Sequence, residues 1–173
     1  GPEQRAMFFK PDCGEDSCAG SGKLAGRAAL VTGGDSGIGR AVAVAFAREG
    51  ADVAAAYLEE GGDAREVAAL VRGAGRKCVL IRGDLSDEAA CAACVDAAAA
   101  GLGGSLTDVV LNHALQPKAA ETDWTSIPAA DIQRALAVNA GSFLRLAQLA
   151  APRLAAARGP SITITTSIQA YQP

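Results

Sequence analysis

Aromatic side chains are scarce in this sequence, at 4% of 173 residues, and histidine, tryptophan and methionine occur once each. A core without large rings has to be built from close-packed small aliphatic residues, and a chain of this length can bury a sizeable one. The alanine-rich, glycine-rich composition suits helices laid tightly against a sheet. There is no basic surplus: the formal charge is −3 and the sequence pI about 5.2, which removes the basic face a nucleic-acid binder needs. No apolar run approaches the ~18 residues of a membrane span. The opening stretch GPEQRAMFFKPDCGEDSCAGSGK has no apolar signal centre, so cytoplasmic residence is expected.

Cysteine is present but badly distributed for a disulfide or metal framework. Of the five, Cys13 and Cys18 lie in the polar N-terminal stretch, Cys78 in an apolar run, and Cys91 and Cys94 form CAAC in an alanine-rich segment. A CxxC raises a metal or redox reading, but no second pair stands at zinc-ribbon spacing and the single histidine is His113. No metal site is expected; reduced, partly buried thiols are the preferred reading.

What is there is regular. Residues 1–23 are polar and read as an arm on the surface; residues 24–173 read as one domain. RAALVTGG is a short buried strand closed by glycines, and SGIGRAVAVAFAREGA a helix ended by Gly50. DVAAAYL, KCVLIRGD, TDVVLNHA and SITITTS are further strands, the last expected to be buried. Between them stand the helices GDAREVAALVRGAG, SDEAACAACVDAAAAGLG with Ser86 as its N-cap, and a long one from about Asp131 to Ala157. Strand and helix alternate five times, which predicts an α/β fold with a Rossmann-like doubly wound parallel sheet. Ligands of such sheets bind beyond the carboxyl ends of the strands.

TGGDSGIGR, Thr32 to Arg40, lies between the first strand and first helix, where a dinucleotide-binding turn belongs. Gly33 permits the tight turn, Gly37 lets the backbone approach a pyrophosphate, and Gly39 lets the helix pack close to the strand. Free N–H groups at the helix start then favour a phosphate. Asp35, Ser36, Ile38 and Arg40 complete the turn.

The spacing is TGxxxGxG, and here the chain resembles the short-chain dehydrogenase/reductase family. The resemblance runs from about Leu24 onward through TGGDSGIG, GDLSD, LNHA, VNAGSF and SITITTS in order. The arm and the tail TTSIQAYQP are similar to an N-terminally extended subgroup of aldehyde-reductase-like and general stress proteins. The resemblance implies a carbonyl or alcohol oxidoreductase using a nicotinamide dinucleotide, on a sheet of seven strands of which five are present. It implies that Asp84 bonds the adenine with Leu85 beside it. It places Asn112, His113 and Ala114 where the family writes NNAG. It makes Asn139 and Ser167 the catalytic asparagine and serine, the first holding a water of the proton relay and the second bonding the substrate oxygen. For Ser167 and Asn139 the bland alternatives are a hydroxyl satisfying a strand end and an amide bonding backbone.

The residue ending the second strand sorts NAD from NADP in this family. Here it is Tyr57, followed by Leu58, so the carboxylate that would select NAD is missing, and so is the usual arginine clamp for NADP. Arg40 stands nearby, and Glu59 and Glu60 could bind ribose or simply be solvated. NADP is the preferred expectation and NAD the alternative.

The family's Tyr-x-x-x-Lys is missing from these residues. Tyr171 has no lysine after it, Tyr57 is followed four later by Gly61, and the four lysines are Lys10, Lys23, Lys77 and Lys118. Three explanations stand open: a fragment of a longer chain, half of a split enzyme completed by a chain carrying Tyr-x-x-x-Lys, or a catalytically inactive nucleotide- or partner-binding subunit. The domain is accordingly expected to be incomplete at its C-terminus. Family subunits pair through the helix holding Asn139, so a homo- or hetero-oligomer is expected, and Phe143, Leu146, Leu149 and Leu154 are expected to leave an apolar face uncovered. The change from NNAG to Asn112-His113-Ala114-Leu115 puts bulk and a titratable ring beside the cofactor. Either His113 joins altered chemistry or, the preferred reading, it is a tolerated substitution at the sheet edge or in a loop.

Overall fold

The computed structural model describes residues 12–14, 17, 19–59, 61–116, 124–168 and 171. Cys18, Glu60, Lys10, Lys118 and most of the expected arm lie outside the described residues.

Five parallel strands form the sheet: β1 (Ala28–Thr32), β2 (Asp52–Tyr57), β3 (Cys78–Arg82), β4 (Asp108–Leu111) and β5 (Ser161–Ile164), in the spatial order β3-β2-β1-β4-β5. The chain leaves β1 in one direction to build β2 and β3, then returns to the other side of β1 for β4 and β5. The strand order therefore reverses between β1 and β4. The expected doubly wound sheet is the observed one.

Helices cover both faces. On one side α1 (Gly37–Arg48) and α2 (Gly61–Gly73) pack through Ala43, Ala47, Val67 and Val71 onto Val31, Val53 and Val110. On the other, α3 (Glu88–Gly101) and α5 (Ser142–Leu154) pack through Val95, Ala98, Leu146 and Ala150 onto Leu30, Val109 and Leu111. Alternate residues of β1 serve opposite faces, as the strand period requires. Its partner β2 contributes Ala54, Ala55 and Ala56, all buried, so the layers approach closely without large side chains.

Four local expectations change. The N-cap of α3 is Asp87, whose carboxylate accepts the Ala90 N–H at 2.8 Å; Ser86 instead turns its N–H and hydroxyl onto Asp84. The long helix begins at Ala129 as α4 (Ala129–Leu136), loosens into a π turn at Ala137–Gly141, and ends as α5 at Leu154. The face bearing Leu146 and Leu154 is buried, and Phe143 and Leu149 pack against the same core; the exposed large aliphatics of this helical run are Ile132, Leu136 and Leu144. All four residues of β5 are exposed; among the described residues its one strand partner is β4.

The described end of the arm is anchored on the C-terminus of α1. Glu49 Oε2 accepts the N–H and the hydroxyl of Ser21 and the N–H of Lys23, each at 3.0 Å. The bond from the Lys23 backbone, then that from Ser21, hold the Glu49 carboxyl below its ordinary range.

At the opposite end from the strand tips, the Arg27 guanidinium meets both oxygens of Asp108, at 2.7 and 2.6 Å, and donates to the carbonyls of Arg158 and Gly159. Ser161 and Thr107 hydroxyls add bonds to the same carboxylate. One buried aspartate thus ties the start of β5 to β4 and β1.

Candidate functional site

The carboxyl ends of β1 to β4 surround one groove of about 380 Å³. Gly33, Asp35 and Ser36 line it from the turn after β1, Tyr57, Leu58 and Glu59 from β2, Gly83, Asp84 and Leu85 from β3, and Asn112 to Leu115 from β4. Ala56, Arg134 and Val138 complete the wall. The groove sits at the reversal of strand order, where an open α/β sheet leaves a crevice.

The glycine turn has the shape its chemistry requires. Gly33 adopts φ +63°, and a Cβ there would stand 3.0 Å from His113 Cα. A Cβ on Gly39 would collide with the Gly33 carbonyl oxygen, so no other residue lets α1 approach β1 this closely. Gly37 differs: it also has positive φ, but the space its Cβ would fill is open. Bare backbone at a helix start, facing open space, fits a phosphate. Gly37, Ile38, Gly39 and Arg40 do not themselves line the groove. Arg40 pairs with Glu66 at 3.1 Å.

Beyond β3, Asp84 Oδ1 accepts from the Ser86 N–H at 3.0 Å and its hydroxyl at 2.7 Å; Oδ2 faces Arg134 at 3.4 Å. These Ser86 bonds, the backbone one first, hold the Asp84 carboxyl below its usual range. Leu85 beside it is buried and presents an apolar wall. Arg134 is the one basic side chain among the lining residues, and sequence reasoning missed it.

Beyond β4, Asn112 donates to the Gly33 carbonyl at 3.4 Å and accepts the Thr165 hydroxyl at 3.0 Å. His113 departs from its expected place at an edge or loop: its ring is turned inward. Nδ1 lies 2.7 Å from the Thr32 hydroxyl and Nε2 2.7 Å from that of Ser142. The Ser142 hydrogen is given to the Val138 carbonyl at 2.6 Å. The Thr32 hydroxyl likewise faces the Val110 carbonyl at 3.3 Å, so the two hydroxyls partner both ring nitrogens of a neutral imidazole, whichever of them carries the proton. Phe143 meets the ring edge-on at 4.8 Å. Burial pushes the His113 pKa down to about 4, against a bond with the Val138 backbone that raises it, so the ring is neutral at pH 7.

Asn139 lies in the π turn, a helical irregularity common at functional sites. Its amide bonds the Leu115 main chain rather than its own helix: Oδ1 accepts the Leu115 N–H and Nδ2 donates to the Leu115 carbonyl, both at 2.7 Å. Neither Asn139 nor Ser167 lines the groove; Ser167 is exposed in the segment after β5. Thr32, Ser142 and Thr165 also escaped sequence reasoning, since their roles exist only once β1, β4, β5 and α5 have met.

Three of the described cysteines are packed into the core. Cys78, Cys91 and Cys94 are buried, Cys91 Sγ points at the Leu85 carbonyl, and burial raises the Cys94 thiol to about 12. Among the described residues no cluster of metal-ligating side chains occurs, and no helix is long and apolar enough to cross a membrane.

Strand order, glycine turn and groove together define a Rossmann-type α/β domain. Residues 33–172 match the family model described as enoyl-(acyl carrier protein) reductase. The chain is 50% identical over 171 residues to the uncharacterized oxidoreductase YhxD of Bacillus subtilis (strain 168), covering 98% of this chain and 56% of the relative. It is 42% identical to general stress protein 39 of the same organism, covering 88% and 51%. A short-chain dehydrogenase from Burkholderia cenocepacia J2315 in complex with NADP superposes with TM-score 0.80 at 34% identity, over 87% of this chain and 59% of that one. Carveol dehydrogenase from Mycobacterium avium in complex with NAD gives TM-score 0.75 at 28% identity, over 86% and 57%. The chain belongs to the short-chain dehydrogenase/reductase family. It spans a little over half the length of these relatives.

Proposed function

We propose that these residues form the nicotinamide-dinucleotide-binding portion of an oxidoreductase that interconverts a small carbonyl compound and its alcohol. The observation that carries this reading is the groove at the switch point, backed by Gly33 and Gly39 where no Cβ fits and by Gly37 where open space meets bare backbone. The turn from Gly33 to Arg40 would hold the pyrophosphate, Tyr57 and Leu58 the adenosine ribose, and Asp84 and Leu85 the adenine. Asn112, His113 and Ala114 would line the nicotinamide side. Bound there, the dinucleotide supplies or accepts hydride. Ser167 would orient the substrate oxygen, and Asn139, through Leu115, would fix the segment after β4.

NADP is preferred over NAD because Tyr57 brings no carboxylate to repel a 2′-phosphate; with Arg40 held by Glu66, that preference rests on the missing carboxylate alone. The 173 residues hold no Tyr-x-x-x-Lys. We assign the proton donor to a segment outside them, on the same polypeptide or on a complementing chain, and place the working enzyme in a cytoplasmic oligomer.

Isothermal titration with NADPH and NADH tests the first half: binding of either is expected, NADPH more tightly, and binding of neither overturns the reading. Oxidation of NADPH by a panel of aldehydes and ketones, with and without a polypeptide carrying Tyr-x-x-x-Lys, tests the second. Turnover only with that polypeptide is expected. Binding without turnover in either case leaves a nucleotide-binding subunit that catalyses nothing.

A further inference from the structure

We infer that Arg134 is a nucleotide-reading residue, and that its guanidinium and Asp84 Oδ2 together recognise the edge of an aminopurine base. This rests on the dinucleotide-binding reading of the groove and adds to it a residue from a different element. Asp84 alone would supply only an acceptor.

Four observations converge. Arg134 is the single basic side chain among those lining the groove, against the carboxylates of Asp35, Glu59 and Asp84. It stands 3.4 Å from Asp84 Oδ2, the oxygen that the Ser86 bonds leave free, since both of those go to Oδ1. The same stretch of wall carries two apolar side chains, Leu85 and Val138, that suit the face of a flat ring. Finally, the ion pair has little to do with folding. Both side chains are about half exposed, at 57% and 44%, and such pairs contribute little. No residue of α4 is buried, so Arg134 is not placed over the groove by core packing.

A carboxylate oxygen beside a guanidinium is an acceptor beside a donor. Adenine offers the complement: an exocyclic amine that donates, next to a ring nitrogen that accepts. The pairing needs no 2′-phosphate, so it serves NAD and NADP alike. Arginine's planar fork, not its charge alone, makes the match, and lysine would not replace it.

The test is equilibrium titration of the whole chain with ADP-ribose and with its 1,N6-etheno derivative, in which the amine is sealed into a ring. Unmodified protein is expected to bind ADP-ribose about tenfold tighter than the etheno compound, the scale of a hydrogen bond to a charged group. Arg134→Ala and Arg134→Lys are both expected to weaken ADP-ribose by about five- to tenfold and leave etheno-ADP-ribose nearly unchanged, so the ratio collapses. Arg153→Ala, on α5 and paired with Asp96, removes the same charge elsewhere and is expected to change neither affinity. Equal weakening of both ligands by Arg134→Ala, or full rescue by lysine, would show general attraction to phosphate and overturn the inference. Unchanged ADP-ribose affinity in Arg134→Ala overturns it as well, while the dinucleotide-binding reading survives. Failure of the unmodified chain to bind either compound removes both.

Discussion

Asn139 grips Leu115 by both ends of its peptide: one amide side chain accepts the Leu115 N–H and donates to the Leu115 carbonyl, each at 2.7 Å. Twenty-four residues separate them in sequence, and the pairing copies one rung of a strand ladder. The segment after β4 is thereby fastened to the π turn, although no strand among the described residues pairs with Leu115.

Asn139→Asp keeps the acceptor and loses the donor, so the Leu115 carbonyl would face a carboxylate. Each bond of this kind contributes about 1 kcal/mol. Asn139→Ala is expected to lower stability by about 1–2 kcal/mol, and Asn139→Asp by at least as much, in thermal melts. Dinucleotide affinity in calorimetric titration should fall with both. Unchanged affinity in both variants would disconnect this clamp from the groove.

His113 gives the protein a pH signature of its own. Its pKa is about 4 in the fold against an ordinary value of 6.5, so the unfolded chain binds the proton first as pH falls. Stability is therefore undiminished above pH 6.5, declines between 6.5 and 4, and loses about 3 kcal/mol across that window. Denaturant unfolding at a series of pH values should show the decline. In His113→Asn the same window should be flat, at a lower plateau because Thr32 and Ser142 lose partners. A slope that survives the substitution would assign the effect to another group.

Arg27 and Asp108 answer to acid in a lower range. Burial raises the Asp108 carboxyl, but bonds from Arg27, Ser161 and Thr107 outweigh it and hold the group below its usual value. That contribution is present at neutral pH and is lost as pH falls through the folded value. Arg27→Ala leaves a carboxylate whose side chain is only 7% exposed without its cation, and is expected to cost about 3 kcal/mol in urea unfolding. A cost below about 1 kcal/mol would mark the pair as a surface contact.

Two glycines of the turn should fail differently. Gly39→Ala drives a Cβ into the Gly33 carbonyl oxygen and should lower stability by about 3 kcal/mol or more. Gly37→Ala meets open space and strains only a positive φ, at about 1 kcal/mol, yet its methyl group would occupy the space assigned to phosphate. Paired melts and NADPH titrations separate the two. A Gly37→Ala protein that binds as tightly as before would move the phosphate elsewhere.

The sheet was legible because strand and helix alternate and glycines punctuate each βα junction, and the groove's position follows from that alternation. Local chemistry that depends on a second element was not. The stretch AVNAGSF reads as ordinary helix, and only its place against the segment after β4 makes it a π turn. His113 in isolation suggests titration, whereas Thr32 and Ser142 make it a neutral bridge. Arg40 stands next to the glycine turn in sequence yet turns to Glu66, while Arg134 reaches the groove from a helix whose own pattern gave no hint of it. Ser86 lost the α3 cap to Asp87 because the Asp84 carboxylate, two residues back, was the better partner. For β5 the sequence suggested burial, but no strand among the described residues pairs with its outer edge.

That edge makes the sheet mechanically uneven. The amides of β1 lie between two partner strands under buried helices and can exchange with solvent only when the whole domain opens. Among the described residues those of β5 are held by β4 alone, with every residue of the strand exposed, and its start is pinned by the Arg27–Asp108 fastening. Fraying should begin at the Ile164 end, run toward Ser161 and stop at Arg27. Deuterium uptake would then read as a front advancing along β5 while β1, paired on both sides, stays silent.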